Sequence, residues 1–276
     1  MTAIPTSIAP TAMFRYRSLV WNFAQRDLKS RFKGTVIGWA WSLIVPLASL
    51  GIYSLVARVI FRAGAPEFGN GHTGNFTVYL FVALTAWSFW AGAINTAISS
   101  LVGTGVLLKK IYFPSYAPVL GSVIAVSIQS SIEICVVLVV MLFFGNVGVT
   151  WLLVPVLCAL YFVFVAAASM VFALGNIYFR DLQHIISVFL QLLFYATPII
   201  YPISKANGHS FHGVSLHTMI MANPVSEFVE LFRDVIYQLD VGSIGLWGAA
   251  IGWTAFAFLS SVLVYRRGGR DLAEQL

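Results

Sequence analysis

Residues 118–149 read PVLGSVIAVSIQSSIEICVVLVVMLFFGNVGV. The only charged side chain in this stretch is Glu133. A membrane-spanning helix needs about 20 mostly apolar residues, and the run before Gly145 exceeds that length. The Gly-Asn-Val-Gly sequence at 145–148 is typical of a tight turn. The stretch therefore predicts a transmembrane helix followed directly by a turn and the start of another apolar run.

The whole chain has the same apolar character. Its 276 residues are 59% hydrophobic and 9% charged, with a mean hydropathy of +0.87. Soluble domains carry about 25% charged residues, so this chain has too few charges to cover a surface that faces water. Its composition indicates a protein whose solvent is the lipid bilayer.

Six stretches are long and apolar enough to be spans, at residues 34–61, 76–101, 118–144, 149–178, 185–203 and 242–265. They predict an all-α polytopic membrane protein that forms a single transmembrane domain over residues 1–276. The sequence shows no internal repeat and no second domain.

Basic residues in the loops predict the orientation, because Lys and Arg are enriched on the cytoplasmic side. With six spans both termini share one side, which would hold twelve of the sixteen basic residues: Arg15, Arg17, Arg26, Lys29, Arg31, Lys33, Lys109, Lys110, Arg180, Arg266, Arg267 and Arg270. We therefore expect the protein to lie in the inner or plasma membrane with both termini in the cytoplasm.

Residues 13–33 predict a helix that does not span. Apolar residues recur every four positions from Tyr16 to Phe32, and a basic face includes Arg26, Lys29, Arg31 and Lys33. This pattern is typical of an amphipathic helix lying among the cytoplasmic lipid headgroups. The alternative is a solvated cytoplasmic extension.

A second short helix is predicted within the outer region, residues 204–240. The sequence NPVSEFVELFRDVIY covers residues 223–237, where Asn223 is suited to cap a helix and Pro224 to its first position. Phe228 and Phe232 belong to its apolar stripe, and its acidic residues are expected on the opposite face. The helix is too short to cross the membrane and is predicted to dip into the outer face.

Motifs for several kinds of chemistry are missing from the sequence. There is no G-x-x-x-x-G-K-[ST] phosphate-binding loop, no H-E-x-x-H and no nucleophile elbow. His209, His212 and His217 cluster in the outer region, but their spacing matches no standard metal site. We expect no catalytic, cofactor or metal site on this chain, and no nucleic acid as a partner.

Polar residues inside a span are costly and are functional candidates by default. Gln129 lies one helical turn before Glu133 within the predicted third span. The pair could serve transport, or it could only form a hydrogen bond between helices. A proton relay would need a second acidic group, which the middle of no other span provides.

Four segments together carry a family resemblance: RDLKSRFKGTVIGWAWSLIVPL (26–47), LLKKIYFPSYAPVL (107–120), NIYFRDLQHIISVFLQLLFYATPIIYP (176–202) and NPVSEFVELFRDVIY (223–237). In this order they resemble the permease subunit of ABC-2 type polysaccharide exporters, the family of O-antigen, teichoic acid and galactan exporters. The resemblance covers nearly the whole chain.

This resemblance implies an ABC-2, or type V, exporter fold. The six-helix permease would pair with a second copy of itself, and a separate ATPase subunit on each copy would bind ATP and Mg. It implies a lipid-linked polysaccharide as cargo, contacts with membrane lipids, and outer helices before the sixth span that act as a gate. Asn223, Pro224, Phe228 and Phe232 would belong to that gate.

The first cytoplasmic loop would then couple the permease to its ATPase. Tyr112 and Phe113 supply aromatic surface for a groove on the partner, and Pro114 stiffens the turn. Lys109 and Lys110 would lie at the rim of that contact. The alternative is a basic loop that only sets membrane topology.

Aromatic residues make up 15% of the chain and have two interpretations. They could form interfacial belts or packing contacts, or they could line a pathway along which sugar rings stack. The candidates are Trp39, Trp41, Trp87, Trp90, Phe194, Tyr195 and Tyr201. Pro198 and Pro202 favour the second interpretation near the fifth span, because a broken membrane helix needs protein or a wet cavity beside it.

Two other classes of function remain open. An ABC-2 permease for a drug or small lipid would share the fold and the coupling loop, but it would not need a wide aromatic pathway. A polytopic membrane transferase would need acid and base residues that converge at one membrane face. The histidines of the outer region have no organised partners of that kind in the sequence.

Overall fold

A computed structural model describes residues 16–32, 38–56, 64–105, 113–179, 181–211 and 213–268. The first six helices are α1 (Arg17–Phe32), α2 (Trp41–Leu55), α3 (Phe76–Gly103), α4 (Tyr116–Phe143), α5 (Val154–Tyr178) and α6 (Leu182–Ala196). The remaining helices are α7 (Leu216–Met221), α8 (Pro224–Arg233) and α9 (Ile244–Gly268). Short 3-10 turns cover Gly38–Ala40, Val149–Leu153 and Ile203–Ala206. The all-α prediction is confirmed, apart from a hairpin of β1 (Ser210–Phe211) and β2 (Val214–Ser215).

Four helices in the described ranges are long and apolar enough to cross a membrane: Phe76–Gly103, Tyr116–Phe143, Val149–Tyr178 and Ile244–Arg267. They correspond to the predicted second, third, fourth and sixth spans. Helices α2 and α6 have 15 residues each. At 1.5 Å per residue each rises about 22 Å, less than the roughly 30 Å of a bilayer core. The predicted first span also includes residues 34–37 and 57–61, which lie outside the described residues.

The fifth predicted span, 185–203, ends earlier than expected. Helix α6 stops at Ala196, and turns and a 3-10 segment follow. Pro198 is two residues beyond the last helical residue, and a proline disfavours the helical conformation in the residue before it. The sequence correctly predicts the break near Pro198 and Pro202 but places the helix end too far along the chain.

Local sequence explains where several helices begin. The Asn75 side chain accepts a hydrogen bond from Thr77 N at 3.0 Å and caps α3. Asn223 caps α8 in the same way, with Val225 N at 3.1 Å, and Pro224 occupies the first helical position. The side-chain oxygen of an asparagine before a helix accepts a hydrogen bond from one of the first backbone amides, which otherwise has no partner in the helix. A proline at the first position has no amide hydrogen that needs a partner.

Helix α3 is the centre of the bundle. It packs against α2, α4, α5 and α8, and its side chains at Leu80, Ile94, Ile98 and Leu101 are completely buried. The outer faces of α2, α6 and α9 carry exposed apolar residues such as Ile52, Leu192 and Phe256. Exposed apolar faces of this kind are expected on helices of a multi-pass membrane protein, where they contact lipid.

The turn between α4 and α5 ties the outer ends of the bundle together. Gly145 adopts a positive φ of 65°, which glycine allows without strain. Asn146 follows, is fully buried, and donates from its side chain to the carbonyl oxygen of Tyr237 at 2.8 Å. The turn after α8 is thereby fixed to the end of α4.

Helix α1 packs on protein with the apolar face that was predicted to lie in lipid. Val20, Phe23, Ala24 and Leu28 are buried, and the helix lies against α4. Close contact is possible because Gly121 has no side chain: a Cβ there would lie 2.5 Å from the Cβ of Phe23. Its buried residues recur with helical spacing, and the bundle covers that side of the helix.

Candidate functional site

A cavity lined by both aromatic and polar groups lies between α2, α3, α4 and α6, and we call it the inner cavity. Its volume is about 470 Å³, within the range of about 300–1,000 Å³ typical of ligand sites. Its lining residues are Val45, Ser49, Tyr53, Phe81, Leu84, Thr85, Trp87, Ser88, Ala91, Gln129, Glu133, Leu190, Gln191, Phe194 and Tyr195. One side of the cavity is aromatic and another is polar.

The aromatic wall is a connected row of rings. Phe194 lies 5.5 Å from Trp87, 5.7 Å from Tyr53 and 5.3 Å from Tyr195, measured between ring centroids. These rings come from α2, α3 and α6, so each fixes the position of its neighbours across the helices. Trp87 is 9% exposed, whereas Tyr195 is 64% exposed at the open side.

The polar wall is centred on Glu133, which is buried in α4. Ser88 Oγ donates to Glu133 Oε2 at 2.8 Å, and Gln129 Nε2 lies 3.5 Å from Glu133 Oε1. Both interpretations of this pair therefore have support: it joins α3 to α4 by hydrogen bonds, and it also faces the inner cavity. A carboxyl group has more acceptor positions than these two donors occupy.

Arg31 reaches this wall from α1. Its Nη1 donates to Gln129 Oε1 at 3.0 Å, and its Nη2 donates to Thr96 Oγ1 at 2.9 Å. Burial lowers the pKa of the Arg31 guanidinium while Asp27 raises it, and an arginine remains charged at neutral pH despite such shifts. Arg31 was predicted on the headgroup-facing side of the interface helix; instead it links that helix to the bundle.

The other predicted interface residues lie elsewhere. Arg26 pairs with the neighbouring Asp27 at 3.0 Å, and Lys29 is exposed. Lys33 lies outside the described residues, as do Lys109, Lys110 and Tyr112 of the predicted coupling loop.

Phe113 and Pro114 are the described part of that loop. Phe113 is 8% exposed, and its ring packs 5.5 Å from that of Phe23 on α1. The ring was expected to stand free for a groove on the ATPase. In this chain it instead attaches the end of the loop to α1.

The structure divides the predicted aromatic residues. Trp87, Phe194 and Tyr195 line the inner cavity. Trp90 does not: it is buried and stacks on Phe164 with a centroid distance of 5.0 Å. Trp41, at the start of α2, is exposed away from the cavity, and the side chain of Trp39 lies outside what the structure describes.

Tyr201 lines a second space of about 430 Å³, which we call the outer cavity. Lys205, Met219 and Asn223 are among its other residues, and Tyr195 lines both cavities. The Tyr201 hydroxyl donates to the carbonyl oxygen of Tyr195 at 3.3 Å. Tyr195, near the C-terminal end of α6, is therefore shared by the linings of the two cavities.

Helix α8 is buried on both faces among α3, α5 and α9. Phe228 and Phe232 pack against Tyr161 of α5 at 4.5 and 5.7 Å, and the Asn223 side chain donates to Thr197 Oγ1 at 2.8 Å. The opposite face, which carries the acidic residues as predicted, is also enclosed at Glu227 and Glu230.

Arg233 explains why that face is enclosed. Its side chain is fully buried, and it donates to Glu230 Oε1 at 2.8 Å, to the carbonyl oxygen of Ile199 at 2.7 Å and to that of Pro198. Its guanidinium also lies 3.8 Å above the ring of Tyr79. The carbonyl groups freed where α6 breaks thus find their partner on α8.

Sequence reasoning missed Tyr53, Ser49, Ser88, Gln191 and Arg233. A signal existed for Gln191, because it lies three residues before Phe194 and so shares its helical face. Ser88 is adjacent to Trp87. Nothing in the sequence pairs Arg233 with carbonyl groups more than thirty residues earlier in the chain.

No three metal-ligating side chains come together within the described residues. His209 and His217 lie in the described part of the outer region, and His212 does not.

Comparison with known proteins agrees with this architecture. A family model described as ABC-2 type transporter matches residues 18–237. The chain belongs to this family. The predicted resemblance to ABC-2 permeases is thereby confirmed, and the matched range includes α1, the inner cavity and α8.

Three similar proteins share the name O-antigen export system permease protein RfbA. One from Myxococcus xanthus is 28% identical over 228 residues, which cover 82% of this chain and 83% of that protein. One from Klebsiella pneumoniae is 28% identical over 221 residues, covering 79% and 82%. Another from Klebsiella pneumoniae is 27% identical over 212 residues, covering 76% of each chain.

Proposed function

We propose that this chain is the transmembrane subunit of an ATP-driven exporter that moves a lipid-linked polysaccharide from the cytoplasm to the outer side of the inner or plasma membrane. The observation that carries the proposal is the inner cavity, where an aromatic row faces a polar wall inside an ABC-2 transporter domain. The names of the similar O-antigen export permeases support a glycan as cargo.

The two walls of the inner cavity suit the two kinds of surface on a sugar. An apolar sugar face stacks on rings such as Trp87 and Phe194, and stacking of this kind has little directional demand. Hydroxyl groups can exchange hydrogen bonds with Ser88, Gln129 and Glu133. Because Tyr195 belongs to both cavities, a chain of sugars could pass from the inner to the outer cavity along α6.

A separate ATPase would drive this movement, since the chain has no phosphate-binding loop of its own. We propose that the loop around Lys109, Lys110 and Tyr112 contacts that ATPase. Phe113 attaches the loop to Phe23 of α1, and Arg31 of α1 bonds to the polar wall. These contacts form a continuous mechanical connection from the loop to the inner cavity, with Pro114 stiffening its first turn.

The outer end would be closed by the segment that contains α7 and α8. Asn223 and Arg233 both hold this segment against the end of α6, through Thr197 and through the Pro198 and Ile199 carbonyl groups. For this segment to open the pathway, the hydrogen bonds of Asn223 and Arg233 to the end of α6 have to break. The proposal also includes a second permease copy, one ATPase on each copy, and cytoplasmic termini.

A matched pair of substitutions on α6 tests the pathway. Phe194→Ala removes a ring from the inner cavity, whereas Phe189→Ala removes a ring that is exposed on the same helix and does not line it. Stacking on an aromatic side chain is worth about 1–3 kcal/mol per base in nucleic acids, so we expect roughly a tenfold loss of export for Phe194→Ala and near-normal export for Phe189→Ala.

Surface glycan and cytoplasmic lipid-linked glycan are measured in cells that lack the chromosomal copy and express either variant at equal levels. Equal export by the two variants would contradict a pathway through the inner cavity. Normal surface glycan in cells without any copy, together with a new drug sensitivity, would favour a permease for a drug or small lipid instead.

A further inference from the structure

The charged groups around the inner cavity bear on which glycans it can hold. Among its described lining residues, Glu133 is the only one with a carboxyl, amine or guanidinium group. The remaining polar groups are hydroxyls and amides, including Ser49, Ser88 and Gln191. No positively charged side chain lines the described part of the cavity.

Among the described residues, Arg31 is a cation bonded to the polar wall. Its two terminal nitrogens donate to Gln129 Oε1 and Thr96 Oγ1, which places the guanidinium behind Gln129 and away from the lining. On its other side Asp27 is a nearby acidic group, and it raises the pKa of the Arg31 guanidinium. Arg31 is therefore not part of the described cavity lining, and Asp27 partly balances its charge.

An anion would find no counter-charge among the described residues that line the cavity. Moving a charge out of water costs several kcal/mol unless an opposite charge compensates for it. An ionised Glu133 would repel the anion, and a protonated Glu133 would supply no positive charge. An uncharged sugar meets no such penalty, because its hydroxyls replace water on Glu133, Gln129 and Gln191 while its apolar face covers Trp87.

We infer that the inner cavity selects uncharged sugar units and excludes acidic ones such as uronic acids or phosphate-bridged units. Glu133 binds hydroxyl groups of the sugar, and Trp87 with Phe194 stacks on its ring. This inference rests on the proposed function and narrows the substrate class of the same site from glycans in general to neutral glycans.

The test uses two amphiphiles that differ by one carboxylate, octyl β-glucopyranoside and octyl β-glucopyranosiduronic acid. The full chain, with Cys135 and Cys158 replaced by serine, carries Gln191→Cys as a reporter in the cavity and is placed in phosphatidylcholine nanodiscs. Gln191 is exposed and lines the cavity, so the rate of maleimide labelling reports on occupancy. Ser187→Cys, exposed one turn earlier on α6 and outside the lining, is the matched control.

We expect the glucoside to slow labelling of the Gln191→Cys variant, the glucuronide to leave it unchanged, and neither to affect the Ser187→Cys variant. Glu133→Leu should weaken protection by the glucoside about tenfold, the loss expected for a hydrogen bond to a carboxylate, and Glu133→Gln should retain most of it.

Equal protection by both amphiphiles, or protection by the glucuronide alone, would overturn the charge selection while leaving glycan export as the function. Protection that survives Glu133→Leu would overturn the role of Glu133. Absence of protection by either amphiphile would overturn the cavity as a sugar site, and the deletion phenotype described above would then decide the proposed function separately.

Discussion

Single buried residues set the local architecture of this permease, and Arg233 is the clearest case. One side chain neutralises Glu230, satisfies two backbone carbonyl groups at the broken end of α6 and covers the ring of Tyr79. A guanidinium is suited to this because its donors are arranged in a rigid planar fork.

Replacing Arg233 should therefore be costly. Arg233→Met leaves Glu230 and the Pro198 and Ile199 carbonyl groups buried without a partner, and removing one member of a buried ion pair costs about 3–5 kcal/mol. We expect a markedly lower melting temperature for the purified chain, and partial recovery when Glu230→Leu is added.

Lys205→Met is the control, since Lys205 is an exposed basic residue in the same outer region. If the two variants have the same melting temperature, the bonds of Arg233 contribute little to stability.

Trp87 and Trp90 show what the sequence cannot resolve at the scale of a residue. They lie three positions apart, about 60° around one helix, and both were candidates for a pathway. One lines the inner cavity, and the other stacks on Phe164. Helical periodicity tells which residues share a face, but not whether a cavity or a neighbouring helix covers that face.

At the scale of elements, the attachment of α1 to α4 decides how motion at the cytoplasmic side would reach the bundle. The contact depends on Gly121, where a Cβ would lie 2.9 Å from the carbonyl oxygen of Val20 and 2.5 Å from the Cβ of Phe23. Phe113 packs on Phe23 of α1, and Arg31 of α1 bonds to Gln129 of α4.

We expect Gly121→Leu to displace α1 from the bundle. Trypsin should then cleave faster after Arg26 and Lys29, about tenfold for each 1.4 kcal/mol of lost packing. Gly103→Leu is the matched control, because a Cβ at Gly103 meets no heavy atom within 4 Å. The same cleavage rate in the two variants would mean that close packing at Gly121 does not hold α1 in place.

The sequence predicts those features that depend on local chemistry. The four long helices follow from uninterrupted apolar runs, the start of α8 from Asn223 and Pro224, and the break near Pro198 from that proline, although the predicted end of α6 lies too far along the chain. It does not predict that the apolar face of α1 is covered by α4 or that Arg31 points inward. Those outcomes depend on which distant surfaces meet, and a basic amphipathic helix has the same pattern whether it packs on lipid or on protein.

At the scale of the whole molecule, the described bundle connects helix α1, the inner cavity, the outer cavity and the buried helix α8. Arg31 joins the first to the second, Tyr195 belongs to both cavities, and Arg233 joins α6 to α8. Arg31 and Tyr195 make their connections with single side chains, whereas Arg233 also contributes to the stability of the chain. We therefore predict that substitutions at the first two connections reduce transport while the fold is retained.

Reconstitution of the full chain with its ATPase in sealed proteoliposomes tests the central claim directly. A lipid-linked glycan is placed in the leaflet on the ATPase side, and its appearance on the other side is followed by digestion with an enclosed glycosidase. We predict that ATP and Mg cause digestion, and that neither a non-hydrolysable ATP analogue nor ATP without the permease does so. Glycan that stays undigested while the same vesicles hydrolyse ATP would contradict the account.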